Sequence, residues 1–156
     1  MCTIVYLVQH GEAKPESEDP DRPLTARGRE DVLLVARHAA GVGVKVERVL
    51  HSGKLRAKQT AEILANHLHP AGGVEETSGL SPMDPPESAR SVIEGAKEPV
   101  MIVGHLPHLS RLLSLIVIGN PEMEVVRFRT GEIVSLAKSD KKWSVAWILT
   151  PDIVRR

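Results

Sequence analysis

Three short apolar runs, each ending in polar residues beside a glycine or proline, constrain this chain most. They are "YLVQHG" at 6–11, "RVLHSG" at 48–53 and "MIVGHLP" at 101–107. Short, largely uncharged runs rich in valine, isoleucine and leucine predict strands buried on both faces. Such strands need helical layers above and below. Helical spacing supplies them in "LTARGREDVLLVARHAAGVG", with Thr25 as N-cap and Val32, Leu33, Ala36, Ala39 and Ala40 on one face. Gly41 and Gly43 stop that helix. A second helix is predicted after Ser52, which can cap it, with Ala57, Ala61, Leu64 and Leu68 recurring at helical spacing. A short third covers 88–97. A fourth begins near Pro107 and carries Leu109, Leu112, Leu113 and Ile116.

The strands are expected at 3–8, within "VKVERVLHSG" and in "PVMIVGH", with two closing strands at 125–138 and 142–149 joined as a hairpin through "SDKK". Residues 14–23 and 74–87 read as loops. Strands alternating with helices imply an α/β layered fold with a largely parallel central sheet. A length of 156 residues fits one domain, 1–156, large enough for a core without staples.

Lys plus Arg and Asp plus Glu balance at 20 each, so no broad nucleic-acid or acidic-membrane surface is expected. The four aromatics, Tyr6, Phe128, Trp143 and Trp147, are too few for a base-stacking platform. Cys2 is the single cysteine, so no intrachain disulfide can form. With no signal-like leader and no apolar run long enough for a bilayer, a cytoplasmic protein is expected.

In open α/β sheets ligands sit beyond the carboxyl ends of the strands, where helix N-termini offer free N–H groups to anions. His10, Ser52 and His105 therefore belong to one rim. Arg56, four residues after Ser52, reaches it from the second helix, and Arg22 closes it from the loop side. Two imidazoles with arginines suit phosphoryl transfer, with one imidazole as nucleophile and with Gln9, Arg22, Arg56, His105 and Ser52 expected on the phosphoryl oxygens. No Gly-rich nucleotide loop or Mg²⁺-type acidic cluster appears, and the histidines lack metal-like spacing, so neither metal nor cofactor is expected. His38, His67 and His69 receive no role, His51 stays ambiguous, and His108 is expected at the surface.

"VQHGEA", "DRPLTARG", "HSGKLRAKQTAE" and "IVGHLPHL", in this order, resemble the histidine phosphatase superfamily, and most of all its SixA-type phosphohistidine phosphatases. The resemblance spans residue 3 to about 150. It implies a phosphoglycerate mutase-like three-layer α/β/α sandwich with a mostly parallel mixed sheet. It also implies roles: His10 as nucleophile, and His105, Arg56 of the S-x-x-x-R-x-x-Q-T pattern and Arg22 of "RPLT" as phosphate ligands. Two departures stand out. Gln9 replaces the arginine of the family's Arg-His-Gly. A charged hydrogen bond is worth about 1.5–3 kcal/mol and a neutral one about half that, so phosphate binding is expected to weaken roughly tenfold to a hundredfold. Gly53 stands where many relatives have proline, which is expected to loosen the helix entry.

The expected activity is metal-independent hydrolysis of phosphohistidine on a partner protein, such as a histidine phosphotransfer domain. A phosphatase for small phosphomonoesters, or a weakly catalytic phospho-ligand binding module, are the alternatives. Glu12, Glu75, Glu76 and Asp84 are candidate proton donors, or none is needed, since an imidazole leaving group departs more easily than an alkoxide.

Overall fold

A computed structural model describes residues 3–155; Cys2 lies outside them. Six strands form one sheet in the order β3-β2-β4-β1-β5-β6. β1 (Thr3–Gln9), β4 (Val100–Gly104), β2 (Arg48–His51) and β3 (Val74–Glu76) are mutually parallel. β5 (Ile133–Ser139) and β6 (Lys142–Leu149) close the sheet as an antiparallel hairpin against β1.

Alternation along β1 builds two cores. Tyr6 and Val8 face α1 (Ala26–Gly41) and α2 (Leu55–Leu68), while Val5 and Leu7 face α3 (Pro86–Gly95) and α4 (His108–Ile118). Both faces of β1 are thus covered, and the fold is the mixed, mostly parallel α/β/α sandwich. A terminal turn, α5 (Pro151–Val154), is capped by Thr150 and packs beside α1.

Several boundaries differ from expectation. Thr25 does cap α1, accepting the Gly28 N–H, though Leu33 and Ala40 are only half-buried and Val35 takes the core position. β3 falls inside the expected 74–87 loop; all three of its residues are exposed, so no buried run marked it. The closing strand begins at Ile133 rather than 125, because the Arg129–Glu132 turn precedes it. α3 starts two residues early, with Pro86 in its first turn, where a missing N–H is harmless. Val44 and Val46 stand before β2, not in it, although Val46 is buried. No helix among the described residues is long and apolar enough to cross a membrane.

Candidate active site

Parallel register places the histidines. Gln9 of β1 pairs with Gly104 of β4, so the next residues, His10 and His105, leave the sheet side by side. Their ring centroids lie 5.0 Å apart. On the other side of β4, His51 is in register with Val103, which carries Ser52 to the same edge. There Ser52 Oγ meets His105 Nε2 at 2.6 Å.

His10 is buried, and its Nδ1 lies 2.6 Å from the Gly11 carbonyl oxygen. A carbonyl only accepts, so Nδ1 carries the proton and Nε2 keeps its lone pair. Burial above all, then the charges of Arg56 and Arg22, lowers the His10 pKa to about 4; the Gly11 bond opposes this. His105 is lowered to about 3 by burial, His10 and Arg56, in that order. Both rings are therefore neutral at neutral pH, the state in which imidazole is a nucleophile. The Arg56 pKa is itself lowered, by burial first and by Arg22 second, so the two guanidiniums sit close enough to repel. Arg22 is held in a left-handed backbone conformation (φ 50°) and donates from Nε to the Lys14 carbonyl at 3.0 Å. An unusual backbone at such a site suits a group aimed at a ligand.

Three buried polar atoms at this edge have no partner among the described residues: Gln9 Oε1, Arg56 Nε and His105 Nδ1. Buried polar atoms are nearly always bonded, so their clustering at one rim marks a place for a polar ligand. Arg56 Nε and His105 Nδ1–H can donate to an anion. Gln9 does so only with its amide nitrogen turned to the site, a half-rotation of the carboxamide.

Some expectations are corrected. Ser52 does not cap α2. Lys54 holds the N-cap position, and Ser52 Oγ accepts the Lys54 N–H at 3.3 Å while bonding His105. Arg56 is accordingly the second residue of α2. Gly53 is not a loosened entry: its φ is +91°, closed to proline, and a Cβ there would stand 2.6 Å from the Glu76 carboxyl carbon. His108 is not at the surface but 0% exposed, and burial lowers its pKa. It lies one turn before Leu112 on the apolar face of α4, a spacing visible in the sequence. His51 is also buried and accepts the Gly53 N–H on Nδ1. Among the proton-donor candidates, Asp84 accepts the Ser81 N–H at 2.9 Å, closing a turn, and Glu75 pairs with Arg48. Glu12 is exposed, and its carbonyl accepts the Thr25 N–H. No three His, Cys, Asp or Glu side chains converge as a metal site among the described residues.

Two residues of the site were passed over in the sequence. Thr60, fully buried, accepts the Gly11 N–H at 3.0 Å and donates to the Arg56 carbonyl at 2.8 Å. Gln59 accepts the Leu24 N–H at 2.8 Å, tying the "RPLT" segment to α2. The Q-T of the motif around Arg56 was their signal.

Residues 5–86 match the model of the histidine phosphatase superfamily (branch 1). An uncharacterized protein of Picosynechococcus is 35% identical over 143 residues, covering 86% of this chain and 80% of its own. Phosphohistidine phosphatase SixA of Escherichia coli is 28% identical over 154 residues, covering 94% and 93%. A solved structure of the protein histidine phosphatase SixA complexed with tungstate superposes with a TM-score of 0.82 at 29% identity, over 97% of this chain and 99% of that one. The paired neutral histidines on parallel strand ends, the two guanidiniums beside them and the whole-chain likeness converge: this chain is a phosphatase of the histidine phosphatase superfamily, branch 1, with the SixA fold.

Proposed function

We propose that the protein hydrolyses phosphohistidine displayed on a partner protein, with residues 1–156 acting as one catalytic domain. The observation that carries this reading is the His10 ring. Its Nδ1–H is spent on the Gly11 carbonyl, it is neutral near pH 7, and guanidiniums flank it. In the proposed reaction His10 Nε2 attacks phosphorus in line. The P–N bond to the substrate imidazole breaks as the new one forms. With its other ring nitrogen protonated, the departing ring leaves as neutral imidazole and takes its bonding pair. Water then attacks phospho-His10 and releases phosphate. Arg56, Arg22, His105 and Gln9 bind the phosphoryl oxygens, and Ser52 orients His105.

The substrate class is argued from the leaving group. An alkoxide needs a proton donor beside it. Asp84 and Glu75 are occupied elsewhere, and the Glu76 carboxyl rests over Gly53. A protonated imidazole needs no such acid. Whole-length likeness to SixA favours the same class.

Gln9 favours a second reading, a phospho-ligand binding module with weak turnover, because its Oε1 is buried without a partner where relatives of this pattern place a cation. Phosphate release from a phosphohistidine protein and from an aryl phosphate, measured side by side with chelator present, separates the readings. Preferential turnover of phosphohistidine, reduced at least about 10⁴-fold in His10→Ala, is expected. Full activity in His10→Ala overturns the mechanism. Phosphate binding without turnover selects the binding module.

A further inference from the structure

A cleft of about 790 Å³ opens beside the histidine rim and takes no part in the proposed reaction. Its position follows from register. Val8 of β1 pairs with Ile133 of β5, which pairs with Leu149 of β6. Glu132 and Thr150, which line the cleft, therefore share the sheet edge of Gln9 and His10. Glu132 lies one strand spacing and Thr150 two from β1, which puts the cleft within about 10 Å of its end. The connection is also direct. The Gln9 N–H donates to the Glu132 carbonyl at 3.3 Å, and the Gly131 N–H donates to the Gln9 and His10 carbonyls at 3.0 and 3.2 Å.

The lining is unusual in two respects. Glu132 is 2% exposed; its Oε2 accepts the Arg129 N–H at 3.0 Å, while Oε1 has no partner among the described residues. A buried carboxyl oxygen without a partner in a cleft wall is uncommon, since buried polar atoms are nearly always bonded. The cations are the second respect. All four are arginines (Arg27, Arg127, Arg129 and Arg155), and none of the chain's eight lysines lines the cleft. Arginine enrichment with lysine depletion is the composition of protein interfaces.

Val125, Ile148 and Ile153 stand among these arginines at 39%, 41% and 62% exposure, too open to be core. The Arg127 side chain is 86% exposed, whereas Asp31, the acid that Arg27 and Arg155 share, is nearly buried. The lining holds four arginines against Asp152, whose side chain is 57% exposed, and the buried Glu132, so a visitor meets a net positive wall. The pairs of Arg127 with Glu124 and Arg129 with Asp152 are surface pairs, and such pairs exchange readily for a visitor's carboxylates.

We propose that this cleft docks the protein substrate: it takes a segment of the partner in which acidic side chains alternate with apolar ones, next to the phosphohistidine that enters the rim. The inference rests on the reading of the substrate as protein-borne phosphohistidine. The acids meet the four arginines, and the apolar side chains cover Val125, Ile148 and Ile153. Catalysis on a free small phosphoramidate does not use the cleft.

The probe is a labelled peptide alternating leucine with aspartate, titrated onto the full chain by fluorescence anisotropy. Saturable binding is expected, weakened about tenfold or more by R127E and by I153D. Both positions are exposed and lie outside the catalytic set, so hydrolysis of a small phosphoramidate stays within about twofold of wild type. Binding equal in wild type and both variants overturns the proposal, as does tighter binding of a control peptide that alternates leucine with lysine. Absence of peptide binding also overturns it, whether or not the chain self-associates through this face. The readout does not need turnover: a chain that binds the peptide in the cleft but hydrolyses no phosphohistidine loses the catalytic reading and keeps the docking site.

Discussion

The histidine rim and the closing hairpin share one sheet edge but treat charge in opposite ways. At the rim, Arg56 Nε and His105 Nδ1 are buried without partners. Across the closing region, Arg127, Arg129 and Arg155 each meet a carboxylate, on Glu124, Asp152 and Asp31 respectively. Unsatisfied buried donors are held at a price in stability, about 1–3 kcal/mol each. The Arg127 and Arg129 pairs are surface pairs, which contribute little, about 0–1 kcal/mol. On the proposed reading the rim gives up stability for ligand binding, and the hairpin region holds its charge neutralised until another molecule arrives. Substitutions in the two regions should accordingly separate activity from stability.

Apart from loss of His10 itself, the largest expected effect lies where the rim's geometry depends on one bond. Thr60→Val is nearly isosteric and leaves the Gly11 N–H without its acceptor. An unsatisfied buried N–H costs about 1–3 kcal/mol, and relaxation of that turn displaces His10. A fall in kcat of about 10–100-fold with a small change in KM is expected. An unchanged kcat would mean that α2 does not position His10 for the proposed attack.

Gln9→Arg acts in the other direction. It restores a charge to a rim whose permanent cations near His10 are Arg56 and Arg22. Tungstate or phosphate should bind about tenfold tighter, as read by competition against turnover. A large gain in kcat as well would mean that this chain has drifted from catalysis. A gain in affinity alone would mean that glutamine is a working ligand that limits product retention.

Acid should weaken the rim before it affects the hairpin. Folded His10 and His105 sit at about 4 and about 3, against the ordinary 6.5 of an unfolded chain. The unfolded state therefore takes up protons first as pH falls. Their contribution to stability is whole above about pH 6.5 and is progressively lost as pH drops toward 4. Melting curves between pH 7 and 4.5 should show falling Tm, with a shallower slope in His10→Asn. Equal slopes would remove His10 from the acid response.

What was legible in the sequence follows the same division. The rim could be read because buried strands leave uninterrupted apolar runs, and the polar residues that end them are conspicuous. His10, His105 and Ser52 stand out by that contrast, Arg56 by its spacing from Ser52, and parallel register brings the two histidines together. The failures occurred where burial leaves no such contrast. β3 is an exposed edge strand of three residues, so its sequence looks like loop. The turn ahead of β5 is defined by the Glu132 side chain bonding backwards to Arg129, which no periodicity reports. Ser52 resembles an N-cap, but its hydroxyl is drawn to His105, a contact made only across the sheet. For Gly53 the comparison with relatives misleads: its φ is +91°, and the Glu76 carboxyl occupies the place of a Cβ.

The smallest effect is the most direct comparison of the two regions, because the same residue does the same local job in each. Thr25 Oγ1 accepts the Gly28 N–H at 2.9 Å, and Thr150 Oγ1 accepts the Ile153 N–H at 3.3 Å. Losing an N-cap costs about 1 kcal/mol. Thr25→Ala removes the cap from α1, sixteen residues long and packed on both α2 and α5. Its loss should appear in global stability, as a drop in Tm of a few degrees. Thr150→Ala uncaps α5, four residues long and bordering the arginine cleft. A helix that short has little cooperative hold on the fold, so it should open locally. Hydrogen exchange at 151–155 should quicken while Tm hardly moves. If Thr150→Ala instead lowers Tm as much as Thr25→Ala does, α5 is part of the global folding unit, and the cleft wall is as rigid as the rim.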